Sequence, residues 1–437
     1  MIKCDVLVIG GGTSGCACAY VAAKHGLNVV LVEKEISLGG TITSGLVIPV
    51  MKSGKNQINT DFYNDLIAEM KKYGGQANFQ GNPGWFNPEI LKIVLDKMLK
   101  GAGVKIIFNS EVINTKKLSN KIKHAEIYEK TLLPYNDKIH SDNISSLSAN
   151  ILSECIEAKY YADATGNGNF CQKINCEFLK NNTPQPMSLR FIMSGIDTDK
   201  FAKFLLDTDR DRNVTCVEHA ASYTYISTAY TWDTDKHWAL AKFFNDAVSK
   251  NILKDSDRNY FQLFSVAGTP DSIAFNCPRI IKNPDYSDIM SDSELIIEAR
   301  QSIYRLSEFC KKYFPGFEKA YISNIANSVG VRVSNRVKGK YVYTSEDLKS
   351  GKKFDNPVVV SDYPIDIHST AKNSSTLEYT CEYQLPIESL MTADYENVFV
   401  VGRCLSADFE AQAALRVQAS CFSMGEGVAK WIANALR

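Results

Sequence analysis

Residues 5–34 read DVLVIGGGTSGCACAYVAAKHGLNVVLVEK. A short apolar run, Asp5 to Ile9, meets a glycine turn, then a small-residue stretch, then a second apolar run, Leu27 to Val32, that ends in an acid. The two runs predict buried strands, and the alanine-rich stretch Ser14 to His25 predicts a closely packed helix between them. Gly10, Gly12 and Gly15 fit the pattern G-x-G-x-x-G. In such a turn the first glycine permits the bend, the second lets the backbone approach a pyrophosphate, and the third lets the helix pack closely on the strand. The phosphates then rest on free N–H groups at the helix start, where Thr13 and Ser14 stand. Glu33 closes the second strand eighteen residues after Gly15, a position from which a carboxylate accepts both hydroxyls of an adenosine ribose. Lys34 stands beside it. The unit reads as a dinucleotide-binding βαβ fold, and the acid argues against a ribose carrying a 2′-phosphate.

The bulk composition bounds what such a unit can belong to. At 437 residues the chain exceeds one ordinary core and predicts more than one domain. Apolar residues make up 45% and charged residues 22%, which are the proportions of a protein with a large packed core. Lysine plus arginine equals aspartate plus glutamate at 49 each, so no global field favours nucleic acid or an anionic membrane. No apolar run approaches the ~20 residues that cross a bilayer, and the N-terminus lacks a basic stretch followed by a continuous apolar core. The expected address is the cytoplasm. The 12 cysteines are scattered without a CxxC pair, which predicts reduced, buried thiols and neither a metal site nor an iron–sulfur cluster. No internal repeat is visible.

Downstream segments choose between nicotinamide and flavin. "EISLGGTITSGLVIPVM" follows the second strand with a further glycine turn at Gly39 and Gly40, then Thr41, and could run beneath a ribityl chain and flavin ring. "YYADATGNGNF" predicts a strand ending in Thr165 and Gly166, and "NVFVVGRCLSADFEAQAALRVQASCFSMGEGVAKWIANAL" predicts a strand, a turn and a long C-terminal helix. With its G-x-G-x-x-G, GG, ATG, YPIDIH and GR segments the chain resembles the FAD-dependent oxidoreductases that share the glutathione-reductase-type flavin fold. That resemblance implies FAD as cofactor, with Gly10, Gly12, Gly15 and Glu33 holding the ADP half. It implies that Gly40, Thr41, Gly402 and Arg403 lie along pyrophosphate, ribityl chain and flavin, that Thr165 and Gly166 supply backbone, and that the main chain near Val112 meets the adenine edge. The family's ATG turn is usually followed by aspartate, whereas Asn167 stands here. Free N–H groups around Ala413 to Val417, at the start of the final helix, would stabilise the negative charge of reduced flavin, with Arg416 adding to the effect.

The architecture expected is α/β: a Rossmann-like FAD-binding domain, discontinuous in sequence at 1–185 and 385–437, with an inserted mixed α+β substrate or cap domain at 186–384. "KNNTPQPMS" is the expected crossing, and the polar stretch 135–155 reads as an exposed loop within a β-meander. The densest reactive cluster is "GVRVSNRVKGKYVYTSEDL" followed by "SDYPIDIHS". Arg332 and Arg336 could clamp an anion, and Asp366 and His368 alternate along one strand face, where His368 could move a proton while hydride passes to flavin N5. The bland alternative makes them interdomain pins. Tyr223, Tyr225, Tyr230, Trp232, His237 and Trp238 read as sheet packing rather than an aromatic pocket.

The leading function is hydride exchange between flavin and a small organic substrate, with an anionic one accommodated by the arginines. An NAD-dependent dehydrogenase and a non-catalytic flavin-binding interaction protein are the alternatives. No second G-x-G-x-x-G follows a strand, so a dedicated nicotinamide domain is not expected, and reducing equivalents come from substrate, from a separate electron donor or acceptor, or from transient nicotinamide binding. Substrate identity and oligomeric state stay open at this level.

Overall fold

The computed structural model describes residues 1–129, 153–180, 185–220, 223–231, 238–281, 289–368, 375–378 and 381–437. The polar stretch from 130 to 152 and residues 181–184 of the expected crossing lie outside the described residues, as do Trp232 and His237.

The glycine turn sits where the sequence places it. Strand Ile2–Ile9 pairs in parallel with Val29–Val32 on one side and with Ser153–Asp163 on the other, so that Val8 faces Leu31 and Ala162. Lys105–Ile107 extends the parallel sheet beyond Val29–Val32. These strands are buried on both faces, which is why they read as continuous apolar runs instead of alternating ones. Ser153–Asp163 forks. Its first half joins a meander with Lys121–Glu129, which in turn pairs with Ser110–Leu118, while its last three residues pair in parallel with Val398–Val400. The sheet therefore closes with a strand contributed more than two hundred residues later.

Helix Thr13–Lys24 follows the turn and is buried from Thr13 to Ala22. Its approach to the sheet depends on Gly15, where a Cβ would collide with the carbonyl oxygen of Gly10. The C-terminal helix Gln418–Ala435 packs in the same core. Its fully buried Glu426 accepts hydrogen bonds from the backbone N–H of Asp61 (3.2 Å) and Phe62 (2.9 Å) and from Lys430 Nζ (2.7 Å). That carboxylate caps helix Asp61–Lys72 from a distance, satisfying N–H groups that the helix itself leaves open.

A second, antiparallel sheet holds six strands in the order Thr215–Ala220, Tyr223–Thr231, Tyr260–Ser265, Ile273–Phe275, Phe191–Ser194 and Tyr321–Ile325. Helix Ile289–Tyr313 reaches it through an intermediate helix, Ala241–Ser249: Phe309 packs on Phe244 at 4.3 Å between ring centres, and Phe244 packs on Phe261 of the sheet at 5.1 Å. Hairpin Gln76–Phe79 and Asn82–Phe86 from the N-terminal third also reaches this sheet, through Phe79 and Trp85 against Tyr225 and Phe264. Tyr225 and Trp238 are buried packing residues, the latter against Phe244 and Phe261. Among the described residues no helix is long and apolar enough to cross a membrane.

Candidate active site

A cleft of about 800 Å³ opens at the ends of the parallel strands. The glycine turn supplies Gly10, Gly12, Thr13 and Ser14 to its wall, and the second strand supplies Glu33 and Lys34. Gly40, Thr41 and Val112 continue it, and Thr165, Gly166, Gly402, Arg403 and Arg416 complete it. Two residues expected at the cofactor lie off this wall. Gly15 is beneath it, holding helix to strand, and Val417 lines the neighbouring cavity described below.

Each part of the cleft has a physical reason for its shape. Gly12 is the N-cap of helix Thr13–Lys24 and makes no side-chain cap, so the first N–H groups of that helix keep no protein acceptor from it. A Cβ on Gly12 would meet only the Ala164 oxygen, at 3.9 Å, so the space its missing side chain leaves belongs to the cleft. Glu33 is 7% exposed and is gripped by two backbone donors, Gly11 N–H on Oε2 at 2.6 Å and Glu35 N–H on Oε1 at 2.9 Å. Burial pushes its carboxyl above the usual range even so.

The ATG turn is organised by a carboxylate the sequence reading passed over. Asp163, fully buried at the strand end, accepts from Thr165 N–H (3.0 Å) and Thr165 Oγ1 (2.7 Å) on one oxygen and from Cys171 N–H (2.9 Å) on the other. Asn167 in place of the family's aspartate therefore leaves the turn with an acid of its own.

The helix start near flavin also differs from expectation. Ala413 to Leu415 belong to a short helix, Phe409–Leu415, and the long helix begins afresh at Gln418 with Val417 as N-cap. Its first intrahelical bond runs from Cys421 N–H to the Val417 carbonyl. The open N–H groups are thus those of 418–420, displaced from 413–417 because the chain breaks helix at Arg416 and Val417.

These features fit FAD: one open helix N-terminus at the glycine turn, a second at Gln418, a gripped acid at Glu33, and a side-chain-free approach at Gly12. The first would hold pyrophosphate, Glu33 the ribose, and Thr41, Arg403 and Arg416 the flavin end.

A second cavity, of about 480 Å³, adjoins the cleft, and Thr41, Val331, Arg403, Arg416 and Gln418 line both. Its further wall comes from distant segments: Met51, Arg190, Tyr260, Gln262, Asn276, Arg332, Asp366 and His368. Arg332 is 7% exposed and donates to the Pro186 carbonyl (2.6 Å) and Ser188 Oγ (3.2 Å), while burial pushes its pKa down to about 10. Arg403 donates to the Val331 carbonyl at 2.7 Å. Arg416 donates to the backbone oxygen (2.9 Å) and carboxylate (3.1 Å) of Asp366.

Asp366 and His368 share one face of strand Ile365–His368, as their spacing predicts, and touch: His368 Nε2 lies 3.2 Å from Asp366 Oδ1. His368 Nδ1 lies 3.0 Å from Arg279 Nη2. A guanidinium can only donate, so Nδ1 accepts and the ring proton sits on Nε2 against Asp366. Burial, then the charge of Arg332, pushes the His368 pKa down to about 4, which keeps the imidazole neutral. Burial opposes ionisation of Asp366, yet the His368 hydrogen bond and the Arg416 charge hold it below the ordinary carboxylate range. Arg279 also stacks on Tyr260, 4.4 Å from the ring centre.

Arg336 is not brought to either cavity. Its guanidinium donates to the carbonyls of Ala407 (3.1 Å) and Lys180 (2.6 Å), tying strand Arg336–Val337 to Phe178–Leu179. The stretch between the two arginines is not helical, so their four-residue spacing does not bring them to one face. Arg190, Tyr260, Gln262 and Asn276 were missed. The only signal for Arg190 was its alternation with Ser188, each polar beside a buried Leu189.

Comparison with known proteins gives the same reading. Residues 5–437 match the family model for FAD dependent oxidoreductases. The chain is 28% identical over 170 residues to thiamine thiazole synthase of Pyrococcus horikoshii, covering 38% of this chain and 59% of that protein. It is 42% identical over 84 residues to glutathione reductase of Schizosaccharomyces pombe, covering 18% of this chain and 17% of that one. The matched part is thus less than two thirds of either relative's length. Among solved structures, a geranylgeranyl bacteriochlorophyll reductase-like protein of Thermoplasma acidophilum aligns with 100% of this chain and 79% of its own, at 14% identity and a TM-score of 0.47. The chain belongs to the FAD-dependent oxidoreductase family, and FAD is its cofactor.

Proposed function

We propose that this enzyme exchanges a hydride between FAD and a small organic substrate lodged in the 480 Å³ cavity. The observation that carries the reading is the shared wall: Thr41, Val331, Arg403, Arg416 and Gln418 face both the cofactor cleft and the second cavity. When bound, FAD supplies two-electron chemistry at flavin N5.

The protein's own groups prepare that junction. Arg403 and the open N–H groups of 418–420 put positive potential at the flavin end, and Asp366 fixes Arg416 in place beside them. Arg332, held by Pro186 and Ser188, faces only the substrate side and orients the bound molecule. His368 keeps its proton at Nε2, and when substrate takes the place of Asp366 in that contact the neutral ring offers it that N–H as a hydrogen-bond donor. We keep the division into a cofactor domain, 1–185 with 385–437, and a cap, 186–384, as part of the proposal: the first sheet draws its strands from 2–163 and 398–400 and the second from 191–325, which supports it, while strand Tyr383–Pro386 straddles the second boundary.

The test is to release the cofactor by denaturation, identify it by mass, and then screen small organic molecules for anaerobic reduction or reoxidation of the bound flavin. FAD together with at least one redox-active substrate supports the reading. FAD with no half-reaction against any class of substrate or carrier leaves a binding protein.

A further inference from the structure

Arg190 is half-buried, with its Nε fully enclosed, and it has few partners. It precedes strand Phe191–Ser194, and with Leu189 turned into the core, Ser188 and Arg190 both reach the second cavity. Among the described residues its guanidinium makes two long contacts, 3.4 Å to the carbonyl of Leu46 and 3.4 Å to that of Ile48, and its buried Nε has no hydrogen-bond partner. Two other arginines of this chain are held more closely: Arg305 makes three charged hydrogen bonds of 2.7 to 2.9 Å, to Asp257 and Glu298, and Arg336 donates to carbonyls at 2.6 and 3.1 Å. Burying a guanidinium without an anion is costly, so a position that keeps one points to an anion that arrives later.

The surrounding charges say where that anion sits. Arg190, Arg332, Arg403 and Arg416 line the cavity, and among its described lining residues Asp366 is the single carboxylate. Asp366 is already engaged by Arg416 and His368. Arg403 and Arg416 face the cofactor cleft as well, whereas Arg190 and Arg332 do not, so their charge is not spent on FAD. The two repel each other: burial and then the charge of Arg332 push the Arg190 pKa down to about 9. Val47, Ile48, Pro49 and Phe264 supply apolar wall beside them, which suits a carbon skeleton and not a bare inorganic ion.

We infer that the substrate is an organic carboxylate whose acid group bridges Arg190 and Arg332, with Arg190 the residue that selects it. This rests on the second cavity being the substrate site. A planar carboxylate matches the guanidinium fork and neutralises both heads at once.

The test uses the FAD-loaded full chain and follows flavin difference absorbance during titration with acetate, succinate and benzoate, their matched neutral amides, and inorganic phosphate. At least one carboxylate should perturb the flavin saturably where its amide does not, and phosphate should bind more weakly than that carboxylate. Arg190→Met should weaken the carboxylate by roughly ten- to hundredfold, the loss of a charged hydrogen bond, and Arg190→Lys by less, with FAD content unchanged in both. The FAD-loaded, ligand-free Arg190→Met protein should also melt no lower than the parent, since it sheds a half-buried charge that no carboxylate among the described residues pairs with; a purely structural arginine would lower the melting temperature. Equal binding of acid and amide, phosphate binding as tightly as the best acid, or undiminished carboxylate affinity in both variants overturns the proposal. If neutral ligands still perturb the flavin, the cavity reading stands while the carboxylate proposal falls. If no ligand of any charge does so, both fall.

Discussion

Along the cofactor cleft the chain presents mostly backbone: a bare N-cap at Gly12, the open start of helix Gln418–Ala435, and a Thr165–Gly166 turn pinned by Asp163. Beyond Arg403 and Arg416 the wall becomes side chain, drawn from near residues 51, 190, 260, 276, 332 and 366. Backbone donors need glycine and strict spacing, and they suit a ligand whose phosphates and ribose never vary. Side chains from scattered loops need no spacing in sequence and can be exchanged singly, which suits a ligand that differs between relatives. On the proposed reading the two adjoining cavities are halves of one active site, and the contrast teaches that they fail in different ways when altered.

The sharpest break compares two glycines three residues apart. At Gly15 an added Cβ runs into the Gly10 carbonyl, so Gly15→Ala should cost about 3 kcal/mol of stability or leave little folded protein, as measured by denaturant unfolding. At Gly12 the same atom meets only open cleft, so Gly12→Val should fold normally without cofactor and fail to retain FAD. Matching stability losses in both would erase the distinction between support and contact.

On the other side of Arg403, Arg332→Met and His368→Asn should both keep FAD and slow the flavin half-reaction by about 10- to 100-fold in stopped-flow absorbance, the loss of a hydrogen bond that orients the substrate. Normal half-reactions in both would reduce them to interdomain pins.

Glu33→Gln tests the most side-chain-dependent contact of the backbone-built half. The amide keeps one acceptor and turns an NH₂ toward a backbone N–H, at Gly11 or Glu35. FAD affinity should fall by about 1 to 3 kcal/mol, read by titration of the apoprotein.

The smallest effect is one of pH. Native His368, with a pKa near 4, refuses the proton that the unfolded chain takes up around its ordinary 6.5. Between those values the unfolded state binds more protons, so stability falls as the pH is lowered, by about 1 to 2 kcal/mol from pH 6.5 to 5. Unfolding of His368→Asn should show a correspondingly flatter dependence over that window.

How much was legible follows the same divide. The turn at Gly10 to Gly15, the acid at Glu33 and the Gly402–Arg403 return were readable because each is a local pattern tied to one backbone geometry. The alternation of Asp366 and His368 was readable for the same reason. Arg336 misled because proximity in sequence says nothing about facing when the segment is neither helix nor long strand. The start of the last helix was misplaced because Phe409–Leu415 and Gln418–Ala435 form one nearly continuous helical pattern, broken only by the dihedrals at Val417. Arg190 was hidden because what marks it, a cation with only long carbonyl contacts and a like charge beside it among the described residues, exists only once residues 46, 48, 190 and 332 have been brought together.

Strand Val398–Val400 pairs with Tyr161 to Asp163, and the residues that follow it, Gly402, Arg403 and Arg416, finish the flavin end of the cleft. During synthesis the glycine turn and the first four parallel strands emerge early, and N-terminal units fold first. The flavin end, however, does not yet exist, and the edge at 161–163 stands open until residues 398–400 appear. A nascent chain can therefore present the glycine-turn end of the cleft long before it can present the end built by Gly402, Arg403 and Arg416, and full loading with FAD should wait for those residues to emerge.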